Sequence, residues 1–390
     1  MNPIIVIGGG PSGMMAAISA KTNHKNLDVY LIERGKQLGT KMKLTGGGRC
    51  NVTAKMEVDE CITYIPKNGK FLYSTLHTFG PKDIMAFFAK MNCPLKEEDH
   101  GRMFPVSNKA QDIVDALIRR IQELNIKVLL NAYVKDIDAS NKLVILEDQK
   151  IPYQHLIIAT GGITLPQTGS DGSGHLFAKS VGHEITKLIP AEVPLVSNEK
   201  FIHEKTLQGL SFKDVSLMVY KNETKVKKTI THDLLITHFG LSGPAALRAS
   251  FYILEMLEEK DTPVKVAIDF IPKVSLNQLE AAKEGLDDLF KEHNIPKRLI
   301  DFLKSEDTNY LKLLKNFPMT IYTTRGFPAA FVTNGGVTVK EIDPKTMRSK
   351  MNPFISFCGE VMDINAYTGG FNITSAFSTG YTAGLNISLD

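Results

Sequence analysis

Residues 4–33, IIVIGGGPSGMMAAISAKTNHKNLDVYLIE, decide the fold of this chain. Ile4 to Ile7 form a short apolar run suited to a parallel strand buried on both faces. Gly8, Gly10 and Gly13 then give G-x-G-x-x-G, with a helix opening at Pro11 and Ser12. In such a turn the first glycine permits the tight bend. The second lets backbone approach a pyrophosphate, and the third lets helix pack on strand. Free N–H groups and the positive end of the helix dipole favour phosphate there. Glu33 lies 20 residues beyond Gly13, at the end of LDVYLI. A carboxylate in that place accepts the adenosine ribose hydroxyls and disfavours a 2′-phosphate; Arg34 beside it is counted with the cofactor-binding residues. Strand, glycines, helix, strand and terminal acid together predict dinucleotide binding.

Composition narrows the class. A chain of 390 residues is long enough for two or three domains, and 43% hydrophobic with 23% charged content is ordinary for a globular protein. The net charge of +4 is spread thinly, and its densest run, Lys225-Val226-Lys227-Lys228, reads as a solvated strand edge. No nucleic-acid partner is therefore expected. No apolar run reaches the length of a bilayer span, and the N-terminal strand lacks the basic start and cleavage site of a signal peptide. Cys50, Cys61, Cys93 and Cys358 show no C-x-x-C spacing, which argues against a zinc ribbon, any other metal site and a dithiol reductase. A reducing cytoplasm is the expected compartment.

Beyond the first unit, Ser107 to Asp112 should open an amphipathic helix reaching Leu124, with Ile113, Leu117, Ile121 and Leu124 on one face. IKVLLNAYVKDID and KLVILEDQ read as strands, then HLIIATGG closes another apolar strand on Thr160, Gly161 and Gly162. After residue 190 the texture alternates as in antiparallel strands. Residues 275–316 then look helical, in SLNQLEAAKEGLDDLFKEHN, IPKRLIDFLKSE and NYLKLLKNF. FVTNGGV and FISFCGEVMDINAYTGGFNITSAFSTGYTAGL return to strand, glycine turn and helix. The expected class is α/β: a discontinuous Rossmann-like FAD-binding domain from residues 1–190 and 331–390, with an insertion at 191–330. That insertion should hold an antiparallel β region, 191–274, and a helical region, 275–330.

Three glycine-ended strands suggest a long ligand held at several points, which fits FAD better than NAD alone. The Thr160-Gly161-Gly162 turn can approach it closely. Gly359 and Glu360 follow a late strand, and Asp363 is placed to accept from the ribityl chain or to face the pyrophosphate. Gly369, Gly370, Phe371 and Asn372 open the final helix, whose N-terminus can stabilise negative charge on a reduced flavin. The loop Lys41-Met42-Lys43-Leu44-Thr45-Gly46-Gly47-Gly48-Arg49-Cys50-Asn51 should supply backbone N–H groups, with Lys41 or Arg49 offsetting negative charge. Cys50 reads as a small packed residue. The catalytic group is unknown, with Arg49 and His238 as candidates. His77, His100 and Arg102 have only their position in polar loops to recommend them.

GGGPSGMMAA, KLTGGGRCNVT, GRMFPVSNKA, ATGGITLPQTGSDGSGHLFAKSVGH, THFGLSGPAAL, TNGGV, TMRSK and CGEVMDINAYTGGFN together resemble the BaiN/YhiN-like bacterial flavoproteins. The resemblance runs along nearly the whole chain. It implies an FAD domain carrying an inserted β-barrel-like domain, with Gly8–Gly13, Glu33, the 41–51 loop, the ATGG turn and Asp363–Asn372 around the cofactor. It also implies that the backbone of Val134, before a Lys135-Asp136 turn, holds adenine. Thr45 stands where many relatives have Ser, and Phe371 where Tyr is usual. The expected function is an FAD-dependent oxidoreductase acting on a small organic substrate or O₂. NADH or NADPH would visit only transiently, because no second complete G-x-G-x-x-G followed by an acid appears. The alternatives are a flavin-dependent RNA-modifying protein and a flavin-binding regulator without turnover. The oligomeric state is not legible.

Overall fold

The structure is a computed structural model describing residues 1–222, 224–260, 262–282 and 285–389. It divides into two compact units, Met1–Ile189 with Val332–Asp390, and Pro190–Phe331. The first is built on a five-stranded parallel sheet in the order Ile355–Phe357, His155–Ile158, Ile4–Ile7, Val29–Ile32, Lys127–Leu129. Ile4–Ile7 is the central strand, and its four side chains are all buried, as a strand covered on both faces requires. The helix Pro11–Asn23 is buried from Ser12 through Ala20. It lies against the final helix, Phe371–Leu385, so closely that a Cβ on Gly380 would fall 2.2 Å from the Ser12 carbonyl oxygen.

Two small antiparallel sheets complete this unit, one from Thr53–Ala54, Arg102–Pro105 and Leu95–Glu97, the other from Val134–Asp138, Leu143–Leu146 and Lys150–Pro152. The single strand expected over IKVLLNAYVKDID is therefore two. Lys127–Leu129 joins the parallel sheet, the chain turns through Asn131 at φ +53°, and Val134 starts a strand of the second small sheet. The amphipathic helix runs Ala110–Glu123, later than Ser107 suggested, because Ser107 Oγ accepts the Lys109 N–H and Asn108 takes φ +58°. Its buried face, with Ile113, Leu117 and Ile121, is the expected one.

The second unit contains a closed six-stranded barrel: Leu195–Ser197, Gly240–Ser242, Val226–Ile236, Ser211–Tyr220, Val264–Asp269 and Phe317–Thr324, which pairs back onto Leu195–Ser197. The closing strand lies in the stretch expected to be helical. Phe317, Met319 and Ile321 are buried while Pro318 and Tyr322 are exposed, a period of two that suits only a strand. Conversely, the region expected to be β holds the long helix Pro244–Lys260. Short helices Leu276–Ala281, Leu286–Glu292, Lys297–Glu306 and Tyr310–Lys315 follow; Lys283 and Glu284 of the expected helical run lie outside the described residues, as does Glu223 at the end of KDVSLMVYKNE. Among the described residues, no helix is long and apolar enough to cross a membrane.

Candidate cofactor site

The glycines of the first turn divide the work as their spacing predicts. Gly8 has φ +109°, and a Cβ there would meet the Ala159 carbonyl oxygen at 2.4 Å; one on Gly13 would meet the Gly8 carbonyl oxygen at 1.8 Å. These two positions let strand, strand and helix touch. Gly10 is different: a Cβ there would meet nothing within 4 Å. It caps the helix Pro11–Asn23 without a side chain, leaving an open helix N-terminus of the kind that takes phosphate. The Ser12 side chain points away, packed so that a Cβ on Gly359 would lie 2.4 Å from its Oγ, so only the Ser12 backbone serves that opening.

Glu33 is held in place before any ligand arrives. Its Oε2 accepts the Gly9 N–H at 2.7 Å and its Oε1 the Gly35 N–H at 2.6 Å. Each oxygen keeps a second lone pair for a hydroxyl donor. Arg34 pairs with Asp171 and lies over the Tyr133 ring, so its charge is already matched. Val134 pairs with Leu146, and Lys135 and Asp136 are strand residues at a bulge rather than a turn.

The triple-glycine loop turns through φ +56°, +66° and +82° at Gly46, Gly47 and Gly48, then through φ +60° at Cys50. It closes on itself. The Cys50 N–H donates to the Thr45 carbonyl at 3.0 Å, the Arg49 N–H to Gly46, and Thr45 Oγ1 to Met42. The N–H groups of Arg49 and Cys50 are thus engaged inside the loop, a correction to their expected role. Gly47 has open space around its missing Cβ. Arg49 itself makes two hydrogen bonds of 2.9 Å to Glu98 and lies 4.1 Å over the Phe104 ring. Partial desolvation works to raise the Glu98 carboxyl, but Arg49 and Lys96 hold it below the usual carboxylate range. Lys41 is likewise matched, donating to Glu360 at 2.8 Å and to Thr164 at 3.0 Å. Both cations are matched by the protein's own acids. Burial pushes the Cys50 thiol up to about 12, which makes it a packed residue and not a nucleophile.

Glu360 is a brace, its other oxygen accepting the Thr333 N–H at 2.8 Å. The ATGG turn rests on the same elements: a Cβ on Gly161 would lie 2.9 Å from Ser170 Oγ, and one on Gly162 2.3 Å from Thr333 Oγ1. Those glycines are required by the protein's own packing. Asn372 is also structural, its carboxamide bonding the N–H and C=O of Ala366 at 2.8 and 2.6 Å. Phe371 stacks on Tyr64 with centroids 4.3 Å apart. Gly369 and Gly370 have φ +131° and +99°, and a Cβ on Gly370 would lie 2.8 Å from the Thr53 carbonyl and 2.9 Å from Asn51 Oδ1. The end of the triple-glycine loop therefore meets the N-terminus of the final helix.

Among the buried side-chain atoms of this unit without a hydrogen-bond partner are Asn51 Oδ1, Thr160 Oγ1 and Asp363 Oδ1. Buried polar atoms are normally satisfied, so an unmatched set implies a ligand carrying donors. With the open Gly10 turn and the Glu33 carboxylate, it fits a flavin dinucleotide, which brings a diphosphate, ribose and ribityl hydroxyls, and a ring N–H. Sequence reasoning passed over Glu98, Thr333, Ser170, Tyr64, Lys67 and His175. His175 is buried beside Glu360, and burial lowers its imidazole against the opposing pull of that carboxylate. Of the other residues named, His238 is an exposed turn residue of the barrel unit, His77 is exposed, His100 sits in a turn at φ +56°, and Arg102 pairs with Asp99.

The model of the family described as HI0933-like protein Rossmann domain matches residues 2–386. A 3-dehydro-bile acid delta(4,6)-reductase of Clostridium scindens is 28% identical, over 98% of each chain. A ribosomal RNA dihydrouridine synthase of Escherichia coli is 29% identical, over 97% of this chain and 96% of its own. Among solved structures, a 3-ketosteroid delta1-dehydrogenase from Sterolibacterium denitrificans shares the fold with a TM-score of 0.54 at 11% identity, covering 98% of both chains. The open conformation of a flavocytochrome c3 fumarate reductase does so with 0.54 at 16%, over 99% of this chain and 78% of its own.

Proposed function

This chain belongs to the HI0933-like Rossmann family and is an FAD-dependent oxidoreductase, and from that premise we propose that it reduces a C=C bond conjugated to a carbonyl in a small organic substrate. A transient NADH or NADPH is the proposed source of reducing equivalents. The observation that carries the reading is the meeting of Asn51, Thr53 and the bare Gly370 cap at the N-terminus of the final helix. A helix N-terminus without a side-chain cap carries a partial positive charge, which would stabilise a ring that gains negative charge. FAD, when bound, supplies the two-electron centre. Around it the open Gly10 turn would take the diphosphate, Glu33 the ribose, and the unmatched oxygens of Thr160 and Asp363 the hydroxyl donors. Cysteines have no part in the electron path: all four are free and buried, and the Cys50, Cys61 and Cys358 thiols are pushed up to about 12.

The substrate class draws support from the two relatives named above. A delta(4,6)-reductase of a 3-oxo bile acid and a dihydrouridine synthase both saturate a C=C bond activated by a carbonyl. An RNA substrate is a second reading, favoured by the Escherichia coli relative. The charge pattern weighs against it, since acids and bases over residues 190–331 balance one for one. Under anaerobic conditions, flavin reduced by NADH or NADPH should be reoxidised by a conjugated enone and not by its saturated ketone. Reduction by neither nicotinamide would favour a regulator, and reoxidation by uridine-containing RNA alone would favour the second reading.

A further inference from the structure

Asp363 is fixed from every side but one. Its N–H donates to the Val337 carbonyl at 2.9 Å, and its own carbonyl accepts the Asn68 carboxamide at 2.7 Å. Lys67 bridges to Asn365, and the Tyr367 N–H donates to Tyr64. The backbone alone thus pins residues 64–68 to residues 363–367. On top of this, Lys67 Nζ lies 2.9 Å from Asp363 Oδ2, whose side chain is 5% exposed, while Oδ1 has no hydrogen-bond partner. Burying a carboxylate costs several kcal/mol unless it is paired, and leaving one oxygen unmatched adds to that. A pair kept only for stitching would not leave this oxygen bare, because backbone bonds already do the stitching.

We infer that Lys67 is a positioning residue: it orients the Asp363 carboxylate so that Oδ1 accepts a hydroxyl of the cofactor's polyol chain. The inference rests on the FAD reading above. Lys67 acts through Asp363 and touches no reacting atom. Without its charge, Asp363 would swing, and Oδ1 would cease to be a fixed acceptor. Losing a cation from the cofactor site would also oppose an added electron.

The test is a double-mutant cycle on the full chain, with FAD affinity read from flavin fluorescence and the midpoint potential of bound flavin as second readout. Lys67→Met should weaken FAD binding by about tenfold or more, in line with loss of a charged hydrogen bond, and move the potential more negative. Lys67→Arg should restore both. In an Asp363→Asn background, Lys67→Met should change affinity by less than about twofold, since coupled residues do not add. Wild-type affinity and potential in Lys67→Met would overturn the inference, as would an equal loss in the Asp363→Asn background. Failure of the wild-type chain to bind FAD would instead overturn the FAD reading itself.

Discussion

His155 sits in the parallel sheet with no exposed surface, and both ring nitrogens are engaged. Nδ1 accepts the Ser388 N–H at 3.2 Å, so the proton is on Nε2, which donates to Ser356 Oγ at 2.9 Å. Burial lowers its pKa to about 3, with Arg348 and His24 adding to the effect. The unfolded chain therefore takes this proton first, near pH 6.5. The stability tied to the neutral ring is fully present above that pH and is lost as pH falls toward 3. A gap of this size corresponds to at most about 5 kcal/mol. His155→Gln, which can keep an acceptor and a donor, should flatten the pH dependence of unfolding free energy between pH 6.5 and 4 by about one proton, roughly 1.4 kcal/mol per pH unit. An unchanged slope in urea titrations would contradict the assignment. At this scale the sequence is legible where a residue's purpose is local. Gly8 and Gly13 make the close contacts their spacing says. The ion pairs of Arg49 and Lys41 were not legible, because their acids, Glu98 and Glu360, lie 49 and 319 residues away and no local pattern points to them.

At the scale of elements, the contact between the helix Pro11–Asn23 and the final helix sets how the cofactor unit closes. A Cβ on Gly384 would lie 2.2 Å from the Ala16 carbonyl oxygen and 2.7 Å from the Ala20 nitrogen, both backbone atoms that cannot swing aside. Helix propensity alone would make Gly384→Ala stabilising by about 1 kcal/mol. Overpacking of this kind costs about 1–3 kcal/mol or more, so the net effect should be a loss of stability. Chemical denaturation of the variant checks the sign, and equal or greater stability would mean the helices have room to part. Sequence patterns served these helices well, since both follow strands that end in glycine. They failed at Phe317–Thr324, where amphipathic helices on the N-terminal side masked a five-residue alternation. Pro318 is tolerated because it lies at the strand's second residue, facing outward.

For the whole molecule, the proposed dinucleotide site lies within the unit formed by Met1–Ile189 and Val332–Asp390, with Glu33 toward its adenosine end and the N-terminus of the final helix toward its flavin end. The glycine-rich turns revealed its general outline in advance. Its bracing, by Glu360, Thr333 and Lys67, was hidden because it forms only once distant segments are packed. The most direct measurement is titration of the cofactor-free chain with FAD and with FMN, which lacks the adenosine half, for wild type and Glu33→Ala. FAD should bind one to one, and Glu33→Ala should weaken it by about 10- to 100-fold, the worth of a charged hydrogen bond, while FMN affinity stays unchanged. No FAD binding, or a Glu33→Ala variant that loses FMN as much as FAD, would contradict the account.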